Sequence, residues 1–225
     1  LGFIYQKIDN FVLLYIKVFK MNINIKLHKN DLPDNVKLKG IISSDAEFLG
    51  LTPPKDKLCL IQINEKDSND VHVVQLDRRT YVAPNLVKLL NDSNIKKIFH
   101  YARKDMEMIK YFLKVDVENV ECTKLQSRIA RGYSDQHSYK ALVQEFLGIN
   151  ISKAKQSSDW GKKDLDPDQL KYSATDVIHL HKIHEELNKI LKRENRFELY
   201  QEAIKFLKIR VDLDIFGISE DIWGH

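Results

Sequence analysis

Two acidic residues within a strand-like segment are the first sign of chemistry in this sequence. Asp45 and Glu47 alternate with other residues in the run Ile-Ile-Ser-Ser-Asp-Ala-Glu-Phe. Successive side chains of a β-strand point to opposite faces, so both carboxylates share one face, while Ile42, Ala46 and Phe48 point to the other, into a core. An isolated Asp-x-Glu pair is most often the solvated face of an edge strand, so its meaning depends on further acidic residues elsewhere in the chain.

Two distant segments provide such residues. Asp105 follows an apolar strand-like segment and lies in the first turn of a predicted helix, where the helix dipole favours a carboxylate. Tyr172 and Asp176 are four residues apart in a later predicted helix, which places them on one face, a turn apart. Each feature is ordinary when taken alone, and only their combination indicates a common site.

The three segments together resemble the three exonuclease motifs of the DEDD superfamily. The tyrosine in the third motif is typical of the DEDDy branch, which includes ribonuclease D and the proofreading exonucleases. The flanking runs resemble ribonuclease D in particular, and the resemblance extends over residues 24–225; these runs are Lys57–Ile63, Lys97–His100, Gln156–Trp160 and Gln169–Tyr172. The resemblance implies an α/β fold of the RNase H-like (DnaQ-like exonuclease) type, with a mixed β-sheet flanked by α-helices.

The resemblance also implies a two-metal hydrolysis that releases nucleoside 5′-monophosphates from the 3′ end of a chain. Asp45, Glu47 and Asp176 are then expected to hold the ion that activates water, with Asp45 also reaching a second ion and Asp105 assisting through water. Tyr172 is expected to orient the attacking water. Four neighbouring carboxylates cannot all ionise unaided, and their hard oxygen ligands favour two Mg²⁺ or Mn²⁺ ions over zinc.

Other stretches are similar to the short, single-domain relatives of ribonuclease D called nanoRNase C. These stretches are Leu49–Leu51, Ala83–Val87, Cys122–Lys124, Tyr133–Asp135, Ser152–Lys153 and Asp221–His225. That family implies short RNA as substrate, dinucleotides above all, and a homo-oligomeric ring of eight subunits. The chain departs from the family where threonines are common, at Ala46 and Phe48, and carries Lys104 at a position that is usually apolar.

Four further residues are predicted to bind substrate. Leu51 has the position of the leucine that inserts between two bases in oligoribonucleases, and the alternative is a plain packing role. Phe48 is next to the acids and is a candidate for base stacking, although it is also expected on the buried face of its strand. His100 ends the strand that leads to Asp105, so it either contacts substrate or closes the core. Gln156 lies in a loop that either meets a phosphate or is solvated.

Composition restricts the classes of protein that this chain can belong to. Its 36 basic residues nearly balance 32 acidic ones, and a net charge of +4 argues against a protein that coats long nucleic acid by charge alone. Two cysteines 63 positions apart, Cys59 and Cys122, indicate a reducing compartment, and a cytoplasmic location is expected. The apolar run near the start is far shorter than the roughly 20 residues that span a bilayer, so no stable membrane association is expected.

The sequence also predicts approximate bounds for the domain, strands and helices that must position these residues. We predict that residues 1–20 are an extension upstream of a natural start at Met21, with an amphipathic anchor or an added element as alternatives, and that 21–225 form one exonuclease domain without HRDC domains. Strands are predicted from Gly40 onward at 41–48, 57–64, 71–76, 96–100 and 119–122. Helices are predicted at 84–90, 103–113, 123–131 and 138–147, then from a cap at Asp166 to about Lys192, and last at 195–207.

Two other functions remain open at this point. A broader 3′ exonuclease would trim tRNA, other structured RNA or DNA ends, and an inactive member of the same fold would be an RNA-binding scaffold. The scaffold is disfavoured because all five signature residues are intact. A zinc site at His179, His181 and His184 is also disfavoured, because no fourth ligand with suitable spacing follows.

Overall fold

The computed structural model describes residues 23–152, 157–218, 220 and 222, and within them it forms a six-stranded mixed sheet. The strands are β1 (Asn24–Lys29), β2 (Ile41–Phe48), β3 (Leu58–Glu65), β4 (Asp70–Gln75), β5 (Lys96–Phe99) and β6 (Val120–Cys122). Their order across the sheet is β1-β4-β3-β2-β5-β6. The strands β2, β3 and β4 pair antiparallel, whereas β1 joins β4, β5 joins β2 and β6 joins β5 in parallel.

Seven α-helices are assigned in the described residues, and they pack on the sheet and on one another. They are α1 (Pro84–Asn91), α2 (Ala102–Leu113), α3 (Thr123–Ala130), α4 (Tyr139–Leu147), α5 (Pro167–Ile178), α6 (Leu180–Arg193) and α7 (Phe197–Ile215). The predicted mixed sheet with flanking helices is therefore confirmed.

The two faces of β2 have different surroundings. Ile42 and Ala46 belong to the main core, and Phe48 packs against that core while partly buried, as the alternation of side chains predicts. The opposite face carries Asp45 and Glu47 and lies towards α5, which contacts β2, β3 and β4. Packing of the apolar face of β2 in the core therefore fixes the position of the backbone that carries Asp45 and Glu47.

The prediction of one continuous helix from Asp166 to about Lys192 is wrong, because the helix is interrupted at His179. That residue has φ −99° and ψ −8°, which ends α5 and starts α6. The hydroxyl of Ser43 donates a hydrogen bond of 2.9 Å to the carbonyl of Val177, which also accepts from the backbone N–H of His179, so a strand side chain helps to hold the helix end. Beyond the break α6 packs mainly on α3, α4 and α7, and it also contacts β5 and β2 of the sheet.

Two other elements differ from the sequence prediction. Strand β1 was not predicted, although Ile25 and Leu27 alternate with polar residues; its side chains are mostly exposed, and its support is the parallel pairing with β4. The last helix extends to Ile215 instead of ending near residue 207. Its final turns are held by acidic residues that bind cations of α2: Asp214 accepts two hydrogen bonds of 2.7 Å from Arg103, and Asp212 pairs with Lys110.

Within the described part of the chain, no helix is both long enough and apolar enough to cross a membrane. The predictions for residues 1–20 lie outside the described residues. The assignment of 21–225 as one domain without HRDC domains stays a prediction.

Candidate active site

The first two acids are brought to the site by the pairing of β2 with β3. Asp45 lies directly opposite Gln62 in the antiparallel register, and Glu47 is two residues further along the same face of β2. Asp176 reaches this face from α5. One carboxylate oxygen from each of Asp45, Glu47 and Asp176 can be chosen so that all three lie within 4.8 Å of one another. Three oxygen ligands at this spacing fit a hard divalent cation.

Both ends of α5 are fixed by hydrogen bonds, which determines where Asp176 lies. Asp166 caps the helix by accepting from the backbone N–H of Gln169 at 2.8 Å, and the Gln169 side chain accepts from the backbone N–H of Asp166 at 3.1 Å. Pro167 follows at the first helical position, where a missing N–H is harmless. This capping box confirms the start predicted from the sequence, and the Ser43 bond at the other end ties the helix to β2.

Asp105 lies in α2, which follows β5, and β5 is the neighbour of β2 on the side away from β3. Strand β5 ends at Phe99, Tyr101 adopts a left-handed conformation with φ 69°, and α2 starts at once, so Asp105 falls in its first turn. The side chain is buried, and the backbone N–H of Ala46 donates a hydrogen bond to it. Because β5 pairs with β2 only as far as Ser43, the Ala46 amide on β2 is left available for this contact.

Burial and mutual repulsion dominate the electrostatics of the acids. Burial raises the pKa of Asp45 well above its ordinary value, and the charges of Asp105, Asp176 and Glu47 raise it further. Burial, followed by the charges of Asp176 and Asp105, likewise raises the pKa of Glu47. Burial is also the main cause of the raised pKa of Asp105, which backbone hydrogen bonds oppose. Without cations these carboxyls compete for ionisation, and divalent cations would remove the conflict.

Tyr172 projects from α5 one turn before Asp176. Burial raises the pKa of its phenol above the ordinary value, and the charges of Asp176 and Glu47 and a hydrogen bond to Asp176 raise it further. The phenol therefore stays protonated at neutral pH and remains a hydrogen-bond donor. Its ring lies 6.0 Å from the buried ring of Trp160, which supports the tyrosine from the side.

The five residues line one cavity of about 820 Å³, together with three of the four predicted substrate-binding residues. Leu51 lies at its rim with 61% of the residue exposed, whereas Phe48 is partly buried against the main core. His100 also lines the cavity, and its Nδ1 lies 2.9 Å from the hydroxyl of Thr123. Burial lowers the pKa of His100 to about 3, so the imidazole is neutral. Gln156 lies outside the described residues. The roles assigned to all nine residues stay predictions.

The rim segment between β2 and β3 is held by its own hydrogen bonds. The Asp56 carboxylate accepts from the backbone N–H of Thr52 at 2.9 Å, and a side chain at Gly50 would approach that carboxylate to 2.4 Å. The rim is also tied to α2, because the ammonium of Lys104 donates to the carbonyl of Leu51 at 2.9 Å. Only a glycine fits at position 50 without moving Asp56.

Three residues of the site were given no role by the sequence analysis. Gln62 contacts both acids of β2, Lys104 holds the rim, and the Tyr139 hydroxyl donates at 2.7 Å to the carbonyl of Thr175, next to Asp176. A polar residue in the middle of an apolar strand was a usable signal for Gln62, and the departure from the family pattern was one for Lys104. Nothing in the sequence indicated Tyr139.

The histidines near the break between α5 and α6 form structural contacts. His184 Nδ1 lies 3.1 Å from the amide oxygen of Gln126, and its Nε2 lies 3.0 Å from the amide nitrogen of Asn188. His181 Nε2 lies 3.1 Å from the carbonyl of Asn64. In the described part of the chain the one carboxylate, histidine or cysteine cluster with metal-binding spacing is that of Asp45, Glu47 and Asp176.

Comparison with known proteins agrees with this geometry. A family model described as 3′–5′ exonuclease matches residues 25–192. The ribonuclease D of Gluconacetobacter diazotrophicus is 33% identical over 166 residues, which is 73% of this chain and 41% of that protein. The chain therefore spans about two fifths of the length of that relative.

Two solved structures of NrnC from Brucella melitensis are also similar. The structure with bound Mg²⁺ is 38% identical, with a TM-score of 0.84, over 90% of this chain and 100% of that one. The structure bound to pGG is 39% identical, with a TM-score of 0.84, over 91% of this chain and 100% of that one.

Proposed function

The chain belongs to the 3′–5′ exonuclease family and has the DnaQ-like exonuclease fold, and from this premise we propose its substrate and mechanism. It is a metal-dependent exoribonuclease that acts on short oligoribonucleotides, dinucleotides above all, and releases nucleoside 5′-monophosphates. The observation that carries the proposal is the convergence of Asp45, Glu47 and Asp176 to within 4.8 Å, in one cavity with Asp105 and Tyr172.

In this proposal the acids form the binding site for two divalent cations, Mg²⁺ or Mn²⁺. Asp45, Glu47 and Asp176 hold one position, and Asp45 reaches the other with Asp105 assisting through water. When bound, such a pair of ions stabilises both the attacking and the leaving oxygen of an in-line phosphoryl displacement. The Mg²⁺ found in the related NrnC structure supports this choice of cation.

Tyr172 positions the attacking water in this proposal. Its phenol is held beside Asp176 and stays protonated because burial raises its pKa. Its single proton is donated to Asp176, so the phenol oxygen can accept a hydrogen bond from the water, which leaves a lone pair of the water free to point towards the phosphorus. The residue acts by geometry and not as a base.

The size of the cavity supports a short substrate. A volume of about 820 Å³ lies within the range of roughly 300–1,000 Å³ typical of small-ligand pockets. The bound pGG in the related NrnC structure supports the same assignment. Leu51, Phe48, His100 and Gln156 are proposed to contact the bases and phosphates, with the exposed Leu51 inserted between two bases. A net charge of +4 agrees with a substrate that has few phosphates.

We further propose a homo-oligomeric ring of eight subunits in the cytoplasm. The likeness to the NrnC structures over 90% of the chain supports the first part, and the two free, buried thiols of Cys59 and Cys122 support the second. Light scattering on the purified protein measures the subunit number directly. A monomeric mass would contradict the ring.

The test of the substrate is the dependence of hydrolysis on RNA length. We expect 5′-labelled two-mer RNA to be cleaved much faster than five-mer and twenty-mer in the presence of Mn²⁺, and no cleavage in EDTA. Asp176→Asn is expected to be inactive while its circular dichroism spectrum is unchanged. Rates that are equal across the three lengths, or faster for the twenty-mer, would favour the trimming of longer RNA. Absence of cleavage with every metal would leave an RNA-binding scaffold.

A further inference from the structure

We infer that Gln62 is a positioning residue: its side-chain amide holds the carboxylates of Asp45 and Glu47 in the orientation that binds divalent cations. This inference rests on the proposed function and names a part of the same site. Gln62 does not contact substrate in this proposal and acts only through the two acids.

The contacts come directly from the strand register. Gln62 lies opposite Asp45 in the β2–β3 pair, so its side chain is on the same face as both acids. Its amide nitrogen lies 3.5 Å from Asp45 Oδ2 and 3.3 Å from Glu47 Oε1. The two amide hydrogens are therefore shared between two carboxylates, with one oxygen of each engaged.

The burial of Gln62 makes these contacts informative. It is fully buried in a strand whose neighbours Ile61 and Ile63 are also fully buried. Within the described residues its amide oxygen is buried and has no hydrogen-bond partner. A buried unpaired carbonyl costs free energy, and a leucine or methionine would avoid that cost. A glutamine at this position thus gains nothing from packing, and its one visible use is to donate to the acids.

The effect of such a donor on the acids has two parts. A carboxylate rotates easily about its terminal bond, and a donor on a buried, packed side chain restricts that rotation. The amide also presents its positive end to two groups that repel each other, which favours their ionised, ligating form. Partners of this kind behind metal ligands typically change metal affinity by about 10–100-fold when they are removed.

The test is the affinity for Mn²⁺ alone, measured by the electron paramagnetic resonance signal of the free ion in the absence of RNA. We expect Gln62→Met, which keeps the length of the side chain but has no donor, to raise the Mn²⁺ dissociation constant at least about tenfold. The KM for two-mer RNA at saturating Mn²⁺ should stay the same, because the substrate contacts are untouched.

Asn64→Leu is the matched control. Asn64 is also a buried amide on the same face of β3, but its nitrogen donates to the carbonyls of Ser68 and Asp70 and not to carboxylates. This variant also removes a buried amide from β3, and yet it should bind Mn²⁺ as the parent does. Weakened Mn²⁺ binding in both variants to the same degree would show a general structural effect and overturn the inference.

A second variant keeps the test decisive if Gln62→Met does not fold. Gln62→Asn retains a buried amide that is one methylene too short to reach both acids, so it should also weaken Mn²⁺ binding. Parental affinity in the folded Gln62→Met or Gln62→Asn protein overturns the role of Gln62 and leaves the proposed function intact. If the parent itself does not bind Mn²⁺, the proposed function fails, and the inference fails with it.

Discussion

Replacing one acid of the cluster should stabilise the protein when no divalent cation is present. In Asp45→Asn the side chain keeps its shape but loses the charge that Asp105, Asp176 and Glu47 oppose. Because the pKa of Asp45 is raised in the fold, the folded state holds more protons than the unfolded chain above the ordinary value of 3.8. Stability then falls as pH rises from that value through the raised pKa, and Asn removes this loss.

The magnitude follows from the spacing of the carboxylates. At an effective dielectric constant of about 20, two unit charges 4.8 Å apart repel by about 3.5 kcal/mol. Side-chain rearrangement and shared protons reduce the part that is recovered, so we expect a gain of about 1–2 kcal/mol in the free energy of unfolding at pH 8. For a chain of this size that corresponds to a rise of about 4 °C in melting temperature.

The assay is thermal unfolding at fixed protein concentration, pH 8, in EDTA and then with excess Mn²⁺. The variant should melt above the parent in EDTA and below it with Mn²⁺, because a ligand at about 100 times its dissociation constant adds about 2.7 kcal/mol to the parent alone. Asp164→Asn, which removes an exposed acid outside the cavity, is the control and should change neither value. A variant that melts below the parent in EDTA would refute the electrostatic reasoning.

Three further predictions concern other parts of the molecule. Tyr172→Phe should lower kcat by about 10²-fold, because it removes the hydroxyl that orients the attacking water; single-turnover hydrolysis at saturating Mn²⁺ measures this. Burial lowers the pKa of His184 from 6.5 to about 4, so folding stability falls as pH drops below 6.5. In His184→Gln the loss between pH 7 and pH 5, measured by urea unfolding, should shrink by about 2 kcal/mol. Asp214→Asn should cost about 2 kcal/mol in urea unfolding, because Arg103 and Arg210 each lose a charged hydrogen-bond partner.

Each of these has a result that would contradict it. Full kcat in Tyr172→Phe would remove the phenol from the mechanism. An unchanged acid-side loss in His184→Gln would show that other buried histidines, and not His184, dominate it. Lowered kcat in Asp214→Asn at full folding would place the ion pair in the catalytic machinery, where we do not expect it.

The local signals in the sequence were sufficient for much of the fold. The cap at Asp166 with Pro167 placed the start of α5 correctly, because both residues act on their own helix. The break at His179 and the last turns of α7 were not predictable in this way. They depend on Ser43 and on the cations of α2, which lie far away in the chain.

The same distinction applies to the candidate site. The resemblance to the exonuclease motifs selected Asp45, Glu47, Asp105, Tyr172 and Asp176, and the structure brings all of them to one cavity. Residues that support these five were missed because their partners are set by three-dimensional packing. Gln62 shows this, since its relation to Asp45 exists only in the β2–β3 register.

The hydrogen bond from Ser43 to Val177 ties together the two segments that carry Asp45 and Asp176. Ser43 lies two residues before Asp45, and Val177 directly follows Asp176, so this bond joins the two backbones that carry the acids. The rim segment that bears Leu51 is attached at a different point, through Lys104, which directly precedes Asp105. A substitution in the rim would therefore disturb the position of Asp105 before it disturbed the pairing of Asp45 with Asp176.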